Sequence, residues 1–280
     1  MAPTLRKKWP VYLIEAWALG TFMLMASFVV ILIEHPAFPV RGAIPSPLLR
    51  RALIGLAMGL TAISLIYSRW GKLSGAHLNP AVTIAQWRLN RIALPDALAY
   101  IVAQFVGGAL AIALLHHLIP YFMTHPTVNH VATVPGETGV WIALAFEFGM
   151  SFLMLSMVLA LSNSRRLAPY TGYFVGVLVA VYITVEAPYS GMSINPARTV
   201  SSAMSAGVWT ALWIYFVGPI AGMSLAGWLY RRQYRRRYGE CRSMAMHLSG
   251  QRNGCQTYEV LWWAEDGPGK HLIEHPSNES

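Results

Sequence analysis

The run Ser74-Gly75-Ala76-His77-Leu78-Asn79-Pro80-Ala81-Val82-Thr83 returns 116 residues later as Ser190-Gly191-Met192-Ser193-Ile194-Asn195-Pro196-Ala197-Arg198-Thr199. Both copies read S-G-x-x-x-N-P-A-x-T, and an internal repeat of this kind constrains the fold before any single residue does. Apolar stretches fall at about 11–33, 52–68, 97–119, 139–161, 171–187 and 208–230, each bounded by charge, proline or glycine. Each copy of the box follows the second stretch of a three-stretch half and precedes the third. The opening stretches also match, with Glu15 and Glu147 each set inside an apolar run. If every stretch crosses a membrane, three crossings are an odd number and the second half lies upside down relative to the first. The two boxes then approach one another from opposite faces.

Composition agrees with a chain that crosses a bilayer. Of the 280 residues, 12% are charged and 55% hydrophobic, whereas a soluble globular chain carries about 25% charged residues. This argues against a water-soluble enzyme, and against disorder, which needs low hydrophobicity and high charge. A spanning helix takes about 20 apolar residues, so six fit with room for loops and a tail. The first stretch follows Arg6, Lys7 and Lys8, but it is too long for a signal peptide and no small-x-small cleavage site follows it. It reads as an anchor.

The net charge of +9 is explained by where the basic residues sit. Arg6, Lys7 and Lys8 precede the first stretch, and Arg69, Lys72, Arg88 and Arg91 lie between the second and third. Arg165 and Arg166 lie between the fourth and fifth, and Arg231, Arg232, Arg235, Arg236 and Arg237 follow the sixth. Six alternating spans place all four groups on one side. The other side holds Arg41, Arg50, Arg51 and Arg198, and its loop from about 117 to 138 has no Lys or Arg. The positive-inside rule predicts both termini cytoplasmic, and the expected location of this multi-pass chain is an inner or plasma membrane. Anionic lipid near Arg231–Arg237 fits the same pattern; nucleic acid as a partner does not.

Each box has a physical reading. Asn is a favoured helix N-cap and Pro a favoured first helical residue. Residues 80–89 and 196–206 are long enough for about three turns, half a bilayer each. Half-helices starting at Asn79 and Asn195 would meet near the midplane, where non-helical backbone is tolerated only if it lines a cavity or is buried in protein. A capping Asn spends its carbonyl oxygen on backbone N–H groups and keeps its NH2 as a donor. Two such donors would hold both lone pairs of a central water and break a proton wire there. The half-helix N-termini add about half a positive charge each, so protons and cations meet an electrostatic barrier. Arg198 lies three residues past Asn195, roughly 4.5 Å along the axis, and an arginine so deep in an apolar segment reads as functional. The first half has Val82 at the equivalent place.

On these residues the sequence resembles the aquaporin, or major intrinsic protein, family over about residues 10–230. Paired Asn79-Pro80-Ala81 and Asn195-Pro196-Ala197 boxes followed by Arg198 are specific to it, and Ala103-Gln104-Phe105-Val106-Gly107-Gly108 and Gly218-Pro219 match as well. The resemblance implies an all-α membrane protein, six transmembrane helices plus two re-entrant half-helices in an inverted repeat. It further implies a passive channel rather than an enzyme, assembled as a homotetramer with one pore per subunit. Glu15 and Glu147 would accept hydrogen bonds that hold the re-entrant loops, with His77 and Gln104 beside them. Thr199 after the arginine and Tyr215-Phe216 favour the water-type branch of bacterial type over the glycerol type.

The same resemblance locates an outer filter. Counting back from Asn195 gives Ile183 and Met192; counting back from Asn79 gives Gly59, or Met58 if the second span holds one extra residue. With Arg198 these make a filter more apolar than that of strict water channels. Two readings stand within the channel class: a water channel that excludes protons and ions, and a wider pore for small neutral solutes such as glycerol, ammonia or hydrogen peroxide. A proton-coupled secondary transporter is a third, since inverted repeats and buried acids occur there too.

The remaining features have plainer readings. His116, His117, His125 and His130 read as surface histidines, Glu186 as a vestibule or loop-holding carboxylate, and the methionines as core or lipid-facing filling. The expected organisation is a short N-terminus, 1–10, a channel domain, 11–230, with halves at about 11–125 and 136–230, and a polar cytoplasmic tail, 231–280. Cys241 and Cys255 both lie in that tail and give no disulfide framework. Their spacing with His247, His271 and His275 matches no standard zinc pattern, and Leu261-Trp262-Trp263 would dock on a membrane surface. No cofactor and no catalytic constellation is expected.

Overall fold

A computed structural model describes residues 3–164 and 166–247, and among the described residues all regular structure is helical. The helices in chain order are α1 (Pro3–Glu34), α2 (Val40–Ala43), α3 (Pro47–Tyr67), α4 (Arg69–Ser74), α5 (Pro80–Arg88) and α6 (Leu94–Leu118). After them come α7 (Pro120–Met123), α8 (Val140–Ser162), α9 (Thr171–Val185), α10 (Ala187–Ser190), α11 (Pro196–Ala206) and α12 (Ile214–His247). The long helices α1, α3 and α6 are answered in the second half by α8, α9 and α12, with α5 and α11 as the two short box helices.

Packing follows the repeat. α1 lies along α6 and α8 along α12, while α3 and α9 face each other across the junction. Each box helix packs chiefly on the opposite half, α5 against α12 and α11 against α6, so neither half encloses its own re-entrant segment. Two glycines at repeat-related positions set the helix separation. A Cβ on Gly107 would run into the Ala16 carbonyl oxygen, and one on Gly222 into that of Phe148. Ala16 and Phe148 each follow one of the paired acids. Small residues let helices approach where hydrophobic force between them is weak.

Among the described residues, α1, α3, α6, α8 and α9 are long and apolar enough to cross a membrane. α12 packs as a sixth, although its apolar stretch is interrupted by Pro219 and closed by Arg231. It starts at Ile214 rather than near 208, because α11 ends on Gly207 in the left-handed region (φ 67°) and a turn intervenes. It also continues as helix to His247, past the expected boundary at 230. Of the tail residues singled out from the sequence, Cys241 and His247 are described only as part of the α12 backbone, and Cys255, His271, His275 and Leu261-Trp262-Trp263 lie outside the described residues. At one end Lys8 Nζ and the Tyr12 hydroxyl donate to the Asp96 carboxylate, at 2.8 and 2.6 Å. At the other, buried Arg50 donates to Glu34 at 2.9 Å and to the Ile44 and Pro45 carbonyls, tying α1 to the start of α3.

A candidate pore at the junction of the two repeats

Glu15 and Glu147 are fully buried, and a buried carboxylate needs donors. Glu15 accepts from Ser74 Oγ at 2.7 Å, from the His77 and Leu78 backbone N–H groups at 3.0 and 2.8 Å, and from Gln104 Nε2 at 2.8 Å. Glu147 accepts from Ser190 Oγ at 2.7 Å and from the Ser193 and Ile194 N–H groups at 2.8 and 2.6 Å. The two acids thus grip corresponding residues of the two loops. Tyr100 and Tyr215 add a further matched pair, donating to the Ser74 and Ser190 carbonyls at 2.8 and 2.6 Å. Tyr215, read above as a branch signature, is fully buried in this packing role.

The anchors hold backbone that would not stand alone. Gly75 and Gly191 turn the chain with φ of 83° and 80°, and Ala76, Leu78, Met192 and Ile194 also take positive φ, between 48° and 50°. For a β-branched residue such as Ile194 that conformation is an outlier, and strained backbone of this sort persists only where its surroundings over-determine it. Beyond each loop the box caps its helix. Asn79 Oδ1 accepts from Ala81 N at 2.8 Å; Asn195 Oδ1 accepts from Ala197 N and Arg198 N at 3.1 and 3.2 Å. Pro80 and Pro196 occupy the first helical turn.

The asparagine NH2 groups are not left wholly free, which amends the sequence reading. Asn79 Nδ2 donates to the Ile194 carbonyl at 2.7 Å, and Asn195 Nδ2 donates to the Leu78 carbonyl at 2.8 Å. Each asparagine reaches across the junction to the residue just before the other. An amide NH2 carries two hydrogens, so one donor per asparagine remains. These reciprocal bonds also splice the two boxes into one unit.

Asn79 and Asn195 both line a cavity of about 350 Å³ that runs between the halves. On the α11 side its wall includes Met58, Ile183, Met192 and Arg198, together with Arg51 and Val131; His77 lines it on the α5 side. His77 Nδ1 lies 3.1 Å from Thr83 Oγ1, which also accepts from Gln104 Nε2. Gly59 does not line it. A Cβ at that position would run into the Gly176 carbonyl oxygen, so Gly59 belongs to the α3–α9 contact and Met58 takes the lumen position. Glu186, read as a vestibule or loop-holding group, is 4% exposed, lies off this wall, and neither carboxylate oxygen has a hydrogen-bond partner. The segment between α7 and α8 crosses over the second box, with Thr133 Oγ1 2.9 Å from Thr199 Oγ1 and Gly136 N donating to the Tyr189 carbonyl at 2.8 Å.

A family model described as "Major intrinsic protein" matches residues 12–230. The chain belongs to the major intrinsic protein family. Among relatives, it is 36% identical over 184 residues to "Probable aquaporin AqpM" of Archaeoglobus fulgidus, covering 63% of this chain and 74% of that protein. It is 32% identical over 242 residues to "Aquaporin-4" of Bos taurus, covering 82% of this chain and 73% of the relative. It is 34% identical to "Aquaporin NIP1-2" of Arabidopsis thaliana over 63% of this chain and 61% of the relative. The X-ray structure of the aquaglyceroporin from Plasmodium falciparum superposes with a TM-score of 0.67 at 18% identity, over 79% of this chain and 94% of that one, a likeness of fold.

As a member of the major intrinsic protein family the chain is a membrane channel for water or small solutes and not an enzyme. Among the lumen residues that escaped the sequence reading are Met154 on α8 and Met223 on α12. No motif marks them, because a methionine in an apolar helix carries no sign of whether it faces lipid, protein or lumen.

Proposed function

We propose that the chain is a passive water channel that excludes protons and ions. The observation that carries this reading is the reciprocal splice of the boxes. Each capping asparagine is fixed by its oxygen to its own half-helix and by one N–H to the opposite loop. The remaining N–H of each is then the directional polar group at the centre of a largely apolar lumen. A water passing there turns its oxygen to both asparagines and its hydrogens away along the file, in opposite directions. No hydrogen-bond chain of one sense runs through that point. Two half-helix N-termini, each worth roughly half a positive charge, and the Arg198 guanidinium oppose any cation that arrives. Among the lumen residues no acid offsets them.

In this reading Met58, Ile183, Met192 and Arg198 form the constriction, Glu15, Glu147, His77 and Gln104 hold the loops, and the α11 side faces outward. Both termini are then cytoplasmic in an inner or plasma membrane. Apolar stripes such as Val102, Val106, Leu110 and Leu114 on α6, which stay exposed, meet lipid or sister subunits of a homotetramer.

The apolar wall favours a second reading, a pore that also passes small neutral solutes. Stopped-flow light scattering of proteoliposomes tests both. Fast shrinkage without glycerol entry, together with glycerol leakage in Arg198→Ala, supports the water channel. Glycerol entry at a rate near that of water supports the wider pore, and shrinkage no faster than empty vesicles contradicts both.

A further inference from the structure

Four methionines, Met58, Met154, Met192 and Met223, line this cavity, and three of them also pack in a single apolar cluster with Met150. By exposed area they are as buried as any core residue, at 2%, 6%, 7% and 0%. So are Met23 and Met123, both at 0%, which do not line the lumen and sit in a different cluster that meets it only through other residues such as Leu19 and Val128. The two groups differ in what reaches them. A solute in the lumen reaches the partly open sulfur side chains of Met58, Met154 and Met192, and does not meet Met23 or Met123.

The barrier at the junction selects which reagent that solute can be. Soft cations that bind thioethers are turned back by Arg198 and the half-helix termini; a small neutral oxidant is not. At the constriction such an oxidant meets Met58 and Met192, which line the same wall as Arg198, whose Nη1 is a buried donor with no partner. We propose that Met58 and Met192 are a modification site for hydrogen peroxide, and that their oxidation closes the constriction to water. The inference rests on the cavity being the pore described above.

The step balances without a further reactant. A sulfur lone pair attacks one peroxide oxygen, the O–O bond breaks, and the departing oxygen takes the proton from the transferred one and leaves as water. The thioether loses two electrons and becomes a sulfoxide, while the peroxide is reduced. A flexible apolar side chain thereby becomes a polar one. The new oxygen is a strong acceptor on the same wall as Arg198, whose Nη1 has no partner, and a bond formed between them would draw the filter wall together.

The test uses the full chain in proteoliposomes, with hydrogen peroxide as the probe and exposed Met204 (57%) as the dose marker. Oxidation is read at each methionine by peptide mass spectrometry, and water flux on the same sample. Expected are one added oxygen on Met58 and Met192 at doses that leave Met23 and Met123 unmodified, and a severalfold loss of water permeability. Methionine sulfoxide reductases restore the flux, and a Met58→Leu/Met192→Leu variant keeps its own untreated rate under peroxide. The proposal is overturned if Met58 and Met192 are spared while Met204 is oxidised, or if Met23 and Met123 react as fast. Full oxidation of the pair with unchanged flux also overturns it. Untreated vesicles that shrink no faster than empty ones would instead contradict the channel reading, and the pattern of sulfur oxidation still decides whether the lumen gives access.

Discussion

At the scale of single residues, the two buried glutamates carry the most consequence per atom. Glu147 is the acceptor for two backbone N–H groups and a serine hydroxyl in a loop whose backbone is strained. Its removal in Glu147→Ala leaves those donors buried and unpaired, at a cost of about 1–3 kcal/mol each. The expected result is a clear fall in the thermal melting point of the detergent-solubilised protein and a loss of water flux. An unchanged melting curve would show that the loop holds its shape without the acid. That Glu15 and Glu147 would take donors from nearby backbone was legible in the sequence, because a carboxylate inside an apolar run has few ways to be satisfied. The choice between Gly59 and Met58 was not, because it turns on one extra residue between the filter position and the box. Nor were the bonds from Asn79 to Ile194 and from Asn195 to Leu78. They exist only because the two halves meet, and nothing local to either box encodes them.

Among elements, the repeat-related helix pairs make a sharp prediction about small residues. Gly107→Ala and Gly222→Ala each push a methyl into a facing carbonyl oxygen, which costs about 1–3 kcal/mol by overpacking. Nothing lies within 4 Å of where a Cβ on Gly149 of α8 would stand, and Ala is the better helix former, so Gly149→Ala should not lower the melting point. Equal effects at all three positions would contradict the close approach. Spans were legible as elements from their apolar length and flanking charges; α12 was less so, since its start is fixed by how α11 ends and its continuation past Arg231 has no apolar signal.

The segment between α7 and α8 adds a pH-dependent element. His130 is buried at 4% exposure, with Nε2 2.8 Å from His116 Nδ1 and its own Nδ1 unpartnered, while His125 faces His35. Burial holds the His130 imidazole below the usual histidine range, and the neighbouring His116 adds to the effect. Between that lowered value and the unfolded one the folded segment binds fewer protons than the unfolded segment. Its stability is therefore intact above about pH 6.5 and is lost progressively as pH falls below it. Hydrogen exchange of the amides from 125 to 133, corrected for intrinsic rates, should accelerate on going from about pH 7.5 to about 5.5. His130→Gln should abolish the change; the same acceleration in that variant would assign it elsewhere.

For the whole molecule, the inverted repeat explains why one sequence motif can build a barrier from both faces. Each half supplies a loop, an acid to hold it and a capped half-helix, and each half-helix is packed on the other half. Exposed tryptophans mark both ends of the helices, with Trp9, Trp70 and Trp228 toward one face and Trp141, Trp209 and Trp213 toward the other, as interfacial anchors do. The central claim is that water and protons part company at Asn79 and Asn195. Water and proton permeability measured in the same proteoliposomes, by light scattering and an enclosed pH-sensitive dye, test it most directly. The account predicts fast osmotic shrinkage with dye acidification no faster than in protein-free vesicles, and proton entry appearing when Asn195→Asp places a carboxylate at the junction. Proton entry through the unaltered protein at a rate that tracks its water flux would contradict it.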